Sequence, residues 1–273
     1  MNLFYKEKAK YKIVNLFKIV NIEQAKQFDL KLYTYQCIDY LNNIDVKLNY
    51  FNINFDFKAW TTYQGFDKGI SKINNEDIVY FFSGNKEKSY VEIDNSLLNL
   101  DLPPQIGSIE ITVSIKESIF QLDSFSHFLI KSYDVFSFDY GYIVFLDESY
   151  DFLTERKLKS TLFGTKNNVK EIDHIWISHC MGVNYGFIKK LYPINFLNET
   201  HLAQPLFQTL MNKSGSSYKL NDRITVWLID DNNLDSFNQD LSEGGYCIGD
   251  EKGYQNFLNT KYAKIFYDQM KFK

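Results

Sequence analysis

The stretch Ile109-Glu110-Ile111-Thr112-Val113-Ser114-Ile115 decides how the chain is read. Every second residue is a large aliphatic and every intervening one is polar, the period of a strand with one buried and one wetter face. Just downstream, Leu122, Phe125, Leu129, Tyr133 and Phe136 recur at spacings of three and four and draw one apolar stripe on a helix. Further on, Tyr140 to Leu146 reads as a strand and His174 to Cys180 as another. A helix carrying Leu206, Leu210 and Met211 follows, with Pro205 in its first turn or at a break, and Ile224 to Ile229 closes the series.

That order, β-α-β-β-α-β, is the split arrangement of ferredoxin-like folds. Upstream, Tyr11 to Val20 reads as a strand, and Asn21 caps a helix with Gln24 three residues on. Ala25, Phe28, Leu32, Tyr35 and Ile38 give that helix its stripe. Phe51 to Lys58 alternates cleanly, and Ile78 to Phe82 and Tyr90 to Ile93 follow as strands joined across Ser83-Gly84-Asn85. Pro103-Pro104, with Gly107 shortly after, marks a boundary. The expected class is α+β, antiparallel sheets with helices on one face: a unit over 1–104, a ferredoxin-like unit over 105–250, and a C-terminal amphipathic helix over 251–273 carrying Tyr254, Leu258, Tyr262 and Ile265. The two units read as related and closely packed.

Composition narrows the function classes. A chain of 273 residues with 45% hydrophobic and 23% charged residues buries a core without staples. Its 24 Phe and 20 Tyr fit either an adhesive surface or A/T-rich codons, and the abundance of Asn, Lys and Ile favours the second. The net charge of −4, with both signs interspersed, excludes the basic stripe that nucleic acid requires. Lys6, Lys8, Lys10 and Lys12 alternate, the pattern of lysines that guard a sheet edge. Cys37, Cys180 and Cys247 are odd in number and far apart, which fits a reducing compartment and neither a disulfide framework nor a zinc set. No apolar run is long enough to span a bilayer, so the expected location is cytoplasmic.

Chemical motifs are sparse. Gly84-Asn85-Lys86-Glu87-Lys88-Ser89 lacks the second glycine of a phosphate loop, and neither G-x-G-x-x-G nor G-x-S-x-G occurs. His174 and His179, beside Asp173 and Cys180, would point to opposite faces of a strand and so read as structural. Asp147, Glu148 and Asp151 could do acid–base work, but a loop with three acids is ordinarily just solvated. Asp230, Asp231 and Asn232 lack the glycine and the terminal acid of a calcium loop. Gly141, Gly182 and Gly186 read as backbone devices, and Trp176 and Trp227 as core.

Four short patterns occur in order: Asp139-Tyr140-Gly141-Tyr142; His174-Ile175-Trp176; Leu191-Tyr192-Pro193-Ile194-Asn195-Phe196-Leu197 with His201-Leu202; and Ile224-Thr225-Val226-Trp227-Leu228. Over roughly residues 105–245 the chain resembles immunity proteins of type VI and polymorphic-toxin systems. The resemblance implies a non-catalytic cytoplasmic protein that occludes a cognate toxin, with no cofactor and no catalytic residues to carry over. Two other classes compete. A small-molecule-binding protein or enzyme would draw on Asp139, Asp147, Glu148 and Asp151, with His174 or His179 as base. A secretion-linked structural protein would form a homo-oligomer.

Overall fold

A computed structural model describes residues 9–46, 50–54, 61–62, 66–83, 89–99, 106–152, 154–161 and 164–264. The class is α+β, built on a large antiparallel sheet. In chain order the strands are β1 (Lys10–Asn21), β2 (Tyr50–Ile53), β3 (Thr61–Thr62), β4 (Ile78–Phe82), β5 (Tyr90–Asp94), β6 (Ile106–Lys116), β7 (Tyr140–Asp147), β8 (Tyr150–Asp151), β9 (Arg156–Lys157), β10 (Lys159–Thr161), β11 (Gly164–Lys166), β12 (Ile194–Asn198), β13 (Ser216–Lys219) and β14 (Ile224–Leu228). The helices are α1 (Ile22–Gln27), α2 (Leu30–Asn43), α3 (Phe66–Ile70), α4 (Leu122–Ser132), α5 (Glu171–His179), α6 (Glu199–Leu202), α7 (Pro205–Lys213), α8 (Asp231–Glu243) and α9 (Glu251–Leu258).

Ten strands form one sheet in the order β13-β14-β12-β7-β1-β6-β5-β4-β2-β3, while β8–β9 and β10–β11 are separate hairpins. β1 pairs with β6 on one side and β7 on the other. The opening strand therefore sits at the middle of the sheet between two strands that follow the expected boundary, and one sheet joins the residues expected to form two units. Pro103 and Pro104 lie outside the described residues. The central position also corrects the reading of the lysines, because β1 has no free edge to guard. Lys12 instead lays its ammonium 4.6 Å from the Phe145 ring and 5.4 Å from that of Phe120. Lys6 and Lys8 lie outside the described residues.

Strict alternation along β1 sends its residues to two layers. Val14, Leu16 and Val20 join Ile109, Ile111, Val113 and Ile115 of β6 under α1, α2 and α4. Phe17 and Ile19 join Tyr140, Tyr142 and Trp227 under α5, α7, α8 and α9. Helices thus cover both faces. Gly141 permits the close strand approach at the centre, since a Cβ there would stand 2.7 Å from Leu16 Cδ2 and 2.8 Å from the Asn15 carbonyl oxygen.

Three local readings change. The stripe from Ala25 to Ile38 is two helices, because Asp29 accepts from Leu32 N (2.9 Å) and restarts the helix in a new phase. Leu30, Tyr33, Cys37 and Leu41 become the buried set, and Leu32 and Tyr35 face out. Residues 174–179, expected as strand, are the end of α5: Ile172, Trp176 and His179 are buried at helical spacing, and Asp173 accepts from Lys170 N (2.8 Å) to start the turn. The strand that pairs with β7 there is β12, the Ile194–Asn198 stretch directly after Pro193. Finally, the alternating segment begun at Phe51 turns at Asn54 (φ 55°), which takes the Ile78 N–H (2.7 Å) and donates to Asp77 (2.7 Å). Residues 55–58, 84–88 and 265–273 lie outside the described residues.

Candidate binding cleft

The acids and histidines singled out from the sequence do not converge. Asp139 precedes β7, where its carboxylate accepts from Ile19 N (2.8 Å); burial, its largest influence, holds its pKa above the usual carboxylate range. At the other end, Asp147 is the last residue of β7, and Glu148 and Asp151 follow it. Asp147 accepts from Ser149 N (2.6 Å), Asp151 accepts from Thr154 Oγ1 (2.8 Å), and Glu148 is exposed. His174 is exposed on α5. His179 is buried, its Nδ1 2.8 Å from the Ile175 carbonyl and its ring edge-on to Tyr254 and Phe257; burial pulls its pKa down. Asp139 thus ties the start of β7 to β1, Asp147 and Asp151 hold local turns, and His179 is a packing contact. Among the described residues no group of three or more His, Cys, Asp or Glu could hold a metal ion, and all three cysteines are free and buried.

A buried charge cluster stands where the sequence pointed to nothing. The β8–β9 hairpin turns through Glu155 in the left-handed region (φ 57°), a conformation a non-glycine residue adopts only when its surroundings hold it. Its carboxylate, 3% exposed, lies 2.8 Å from Lys189 Nζ and 3.3 Å from Lys190 Nζ. Tyr142 donates to it at 2.9 Å and Tyr192 at 2.8 Å, and these two rings stack at 3.8 Å. Burial by itself would raise this carboxyl. Attraction to Lys189 and then Lys190, with hydrogen bonds from Lys189 and Tyr192, brings it down to about 2, so it stays charged. Next to it, Arg156 grips Asp173 through Nε (2.8 Å) and Nη2 (2.8 Å), tying the hairpin to the start of α5.

The same sheet face carries a polar row fixed by register. Asn195, Tyr142, Asn15, Thr112, Glu92, Tyr80 and Asn52 stand opposite one another across β12, β7, β1, β6, β5, β4 and β2. Glu110 and Asp94 form the next pair along. Burial, then the nearby Asp94 charge, pushes Glu92 up to about 7. Burial does the same to Glu110, against a hydrogen bond from Ser108 (2.8 Å). These carboxyls therefore exchange protons near neutrality.

Above the Glu155 cluster a cleft of about 590 Å³ opens between the end of β7, residues 190–193 and α8. Asn238 of α8 fixes one wall, accepting from Leu191 N (2.7 Å) and donating to Leu191 O (3.0 Å). Val144 and Leu234, both half-buried, provide apolar surface, and Asp231, Asp235 and Asp250 surround the opening. The lining cation, Lys190, is drawn down to Glu155 and lies 4.9 Å from the Tyr192 ring. Asp250 caps α9, accepting from Gly253 N (2.8 Å), while Asp231 and Asp235 stand exposed beside the apolar surface with no ion pair among the described residues. Sequence inspection missed Glu155 because its role depends on a backbone angle and on a strand that it does not belong to. The one usable signal was Lys189-Lys190 running into Leu191-Tyr192, a cation pair entering a buried aromatic run.

The fold is similar to that of the Pseudomonas aeruginosa T6SS protein PA0821, with a TM-score of 0.55 and 10% sequence identity, covering 95% of this chain and 87% of that one. At that identity the likeness shows a shared fold. No family model matches the sequence, and no curated protein matches it.

Proposed function

We propose that this chain is a cytoplasmic immunity protein of a type VI or polymorphic-toxin system, which neutralises a cognate toxin by covering its active site. The acid-bordered cleft over the Glu155 cluster carries this reading. Binding by occlusion needs a preorganised surface with charge complementarity, and Asp231, Asp235 and Asp250 around an apolar wall supply one for a basic toxin segment. Two further lines support it: the ordered patterns from Asp139 to Leu228 that resemble immunity proteins, and a fold shared with a protein whose name assigns it to a type VI secretion system. Catalysis plays no part in this reading, and no cofactor is required.

The test is co-expression with the neighbouring open reading frame in a heterologous bacterium. Rescue of growth and a co-purifying complex are expected with the native chain. Asp231→Lys with Asp235→Lys, both exposed positions, should abolish rescue while the circular dichroism spectrum is unchanged. Rescue that survives this double charge reversal would sink the cleft as the contact surface, and a toxic neighbour that is neither bound nor neutralised would sink the immunity reading.

A further inference from the structure

The ten-stranded sheet ends on β13, which has a neighbouring strand on one side only among the described residues. Ser216, Ser217, Tyr218 and Lys219 pair with Leu228, Trp227, Val226 and Thr225, and all four are exposed. At the base of this hairpin Leu220 N donates to Ile224 O (2.9 Å), so Leu220 and Ile224 are a hydrogen-bonded pair. Such pairs alternate along an antiparallel ladder, which turns the backbone of Tyr218 and Ser216 towards β14 and the N–H and C=O of Ser217 and Lys219 outwards. An open edge of this kind is a template for a further strand, and β13 contains no proline to block one. Beside the edge, one sheet face is apolar. Tyr218, 39% exposed, sets its hydroxyl 3.3 Å from Ser126 Oγ of α4, and Ile130, one turn further along α4, is 49% exposed.

We propose that two copies of this chain join antiparallel through β13, about a two-fold axis at Tyr218, and so continue the sheet from one copy into the other. The edge is self-complementary in this register. Ser217 stands opposite the second copy's Lys219, and the reverse, so every outward N–H and C=O of β13 finds a mate. The two neighbouring registers do not achieve this. One sets Lys219 against Lys219, like charges directly opposite each other. The other sets Lys219 against Gly215, which has left the strand conformation (φ 96°). At the axis the two Tyr218 residues form a closely spaced pair, Cα atoms about 4.5 Å apart, and each copy's Ile130 lies next to them. Charge fits as well: the exposed turn residue Asp222 comes alongside the second copy's Ser214, within reach of the exposed Lys213, and the two-fold repeats the pair.

The experiment is sedimentation velocity on the full chain from about 1 µM to about 500 µM, the range in which a weak dimer forms and dissociates. A reversible monomer–dimer equilibrium is expected. Ser217→Pro removes an outward N–H and no bond of the β13–β14 ladder, so the monomer should keep its circular dichroism spectrum. It should weaken the dimer at least about tenfold, since the two-fold doubles each lost hydrogen bond. Cross-linking reads the register and serves also should the proline variant fail to fold. Tyr218→Cys should form a disulfide between copies under mild oxidation, whereas Lys219→Cys, whose two copies lie more than about 7 Å apart, should not. The native cysteines are all buried and do not compete. A chain that stays monomeric throughout would overturn the proposal, as would a dimer that Ser217→Pro leaves intact. Cross-linking through position 219 in place of 218 would overturn the register and the two-fold with it.

Discussion

Under α2 and α4 the sheet offers Val14, Leu16, Ile111, Val113, Phe196 and Val226, and the helices answer with Phe125, Phe128 and Tyr33, joined by Phe136 just past α4. On the opposite face, alternate residues of the same strands bury Tyr142, Asn195 and Asn15 beside a charged Glu155 and Lys189. One layer is held by area and shape, which tolerate substitutions of similar volume. The other also buries Phe17, Trp176 and Trp227, but adds a cluster of charges and hydrogen bonds around Glu155, where losing one member strands the rest.

Removing a single side chain from each layer is the most severe way to break this contrast. Glu155→Ala strands Lys189, 10% exposed, and should cost about 3–5 kcal/mol in urea denaturation. Phe136→Ala should cost a similar amount, about 3–5 kcal/mol, through a cavity. The layers separate on rescue. Adding Lys189→Met to Glu155→Gln should restore most of the stability lost by Glu155→Gln alone, whereas no charge substitution should help Phe136→Ala. Equal behaviour of the two in that test would remove the distinction.

Protonation sharpens it further. Glu92 and Glu110 have folded pKa values of about 7, above the ordinary 4.5. Their contribution is fully present below pH 4.5 and is lost as pH rises through 7. Glu155 runs the other way: its contribution holds above 4.5 and is lost as pH falls towards 2. His201 is fully buried, with Nδ1 3.2 Å from Asn198 N and Nε2 3.2 Å from Phe187 O, and burial takes it down to about 4. It adds stability above pH 6.5 that disappears as pH falls through 4. Glu92→Gln with Glu110→Gln should therefore stabilise the chain at pH 8, by on the order of 1 kcal/mol, and the gain should vanish by pH 4.5. Thermal melts of the two proteins across that range make the comparison. A gap that is constant with pH would contradict the protonation account.

The smallest expected effect lies where the chain leaves the sheet for the helical layer. Asn21 accepts from Gln24 N (2.9 Å), and Gln24 Oε1 accepts from Asn21 N (3.0 Å). Asn21→Ala should cost about 1 kcal/mol by denaturant midpoint. No pH dependence should accompany that loss.

How much of this was legible follows from how local each cause is. The β6 alternation, the Asn21 cap and the β4–β5 hairpin are statements about neighbours in sequence, and they survive intact. Residues 171–179 misled because β-branched isoleucines favour strand while the start signal, Asp173 accepting from Lys170 N, is a helix cap. Of the residues that build the cleft, its three acids could be seen only as surface charge. Glu155 and Asn238 carried no local mark, and Lys189 only its place in the pair before Leu191-Tyr192, because each takes its role from a partner 34 to 47 positions away.

By itself, then, the sequence determined the class, the alternation of the strands and the residue types available for either face, since periodicity and caps are set within a few residues. Only the tertiary structure decided that β1 runs between β6 and β7, joining the strands into one sheet. The same decision placed Tyr142 beneath Glu155 and aligned Asn15, Thr112 and Glu92 in one row. Register between distant strands is chosen by the burial and pairing of whole surfaces, and no short stretch of chain contains that information.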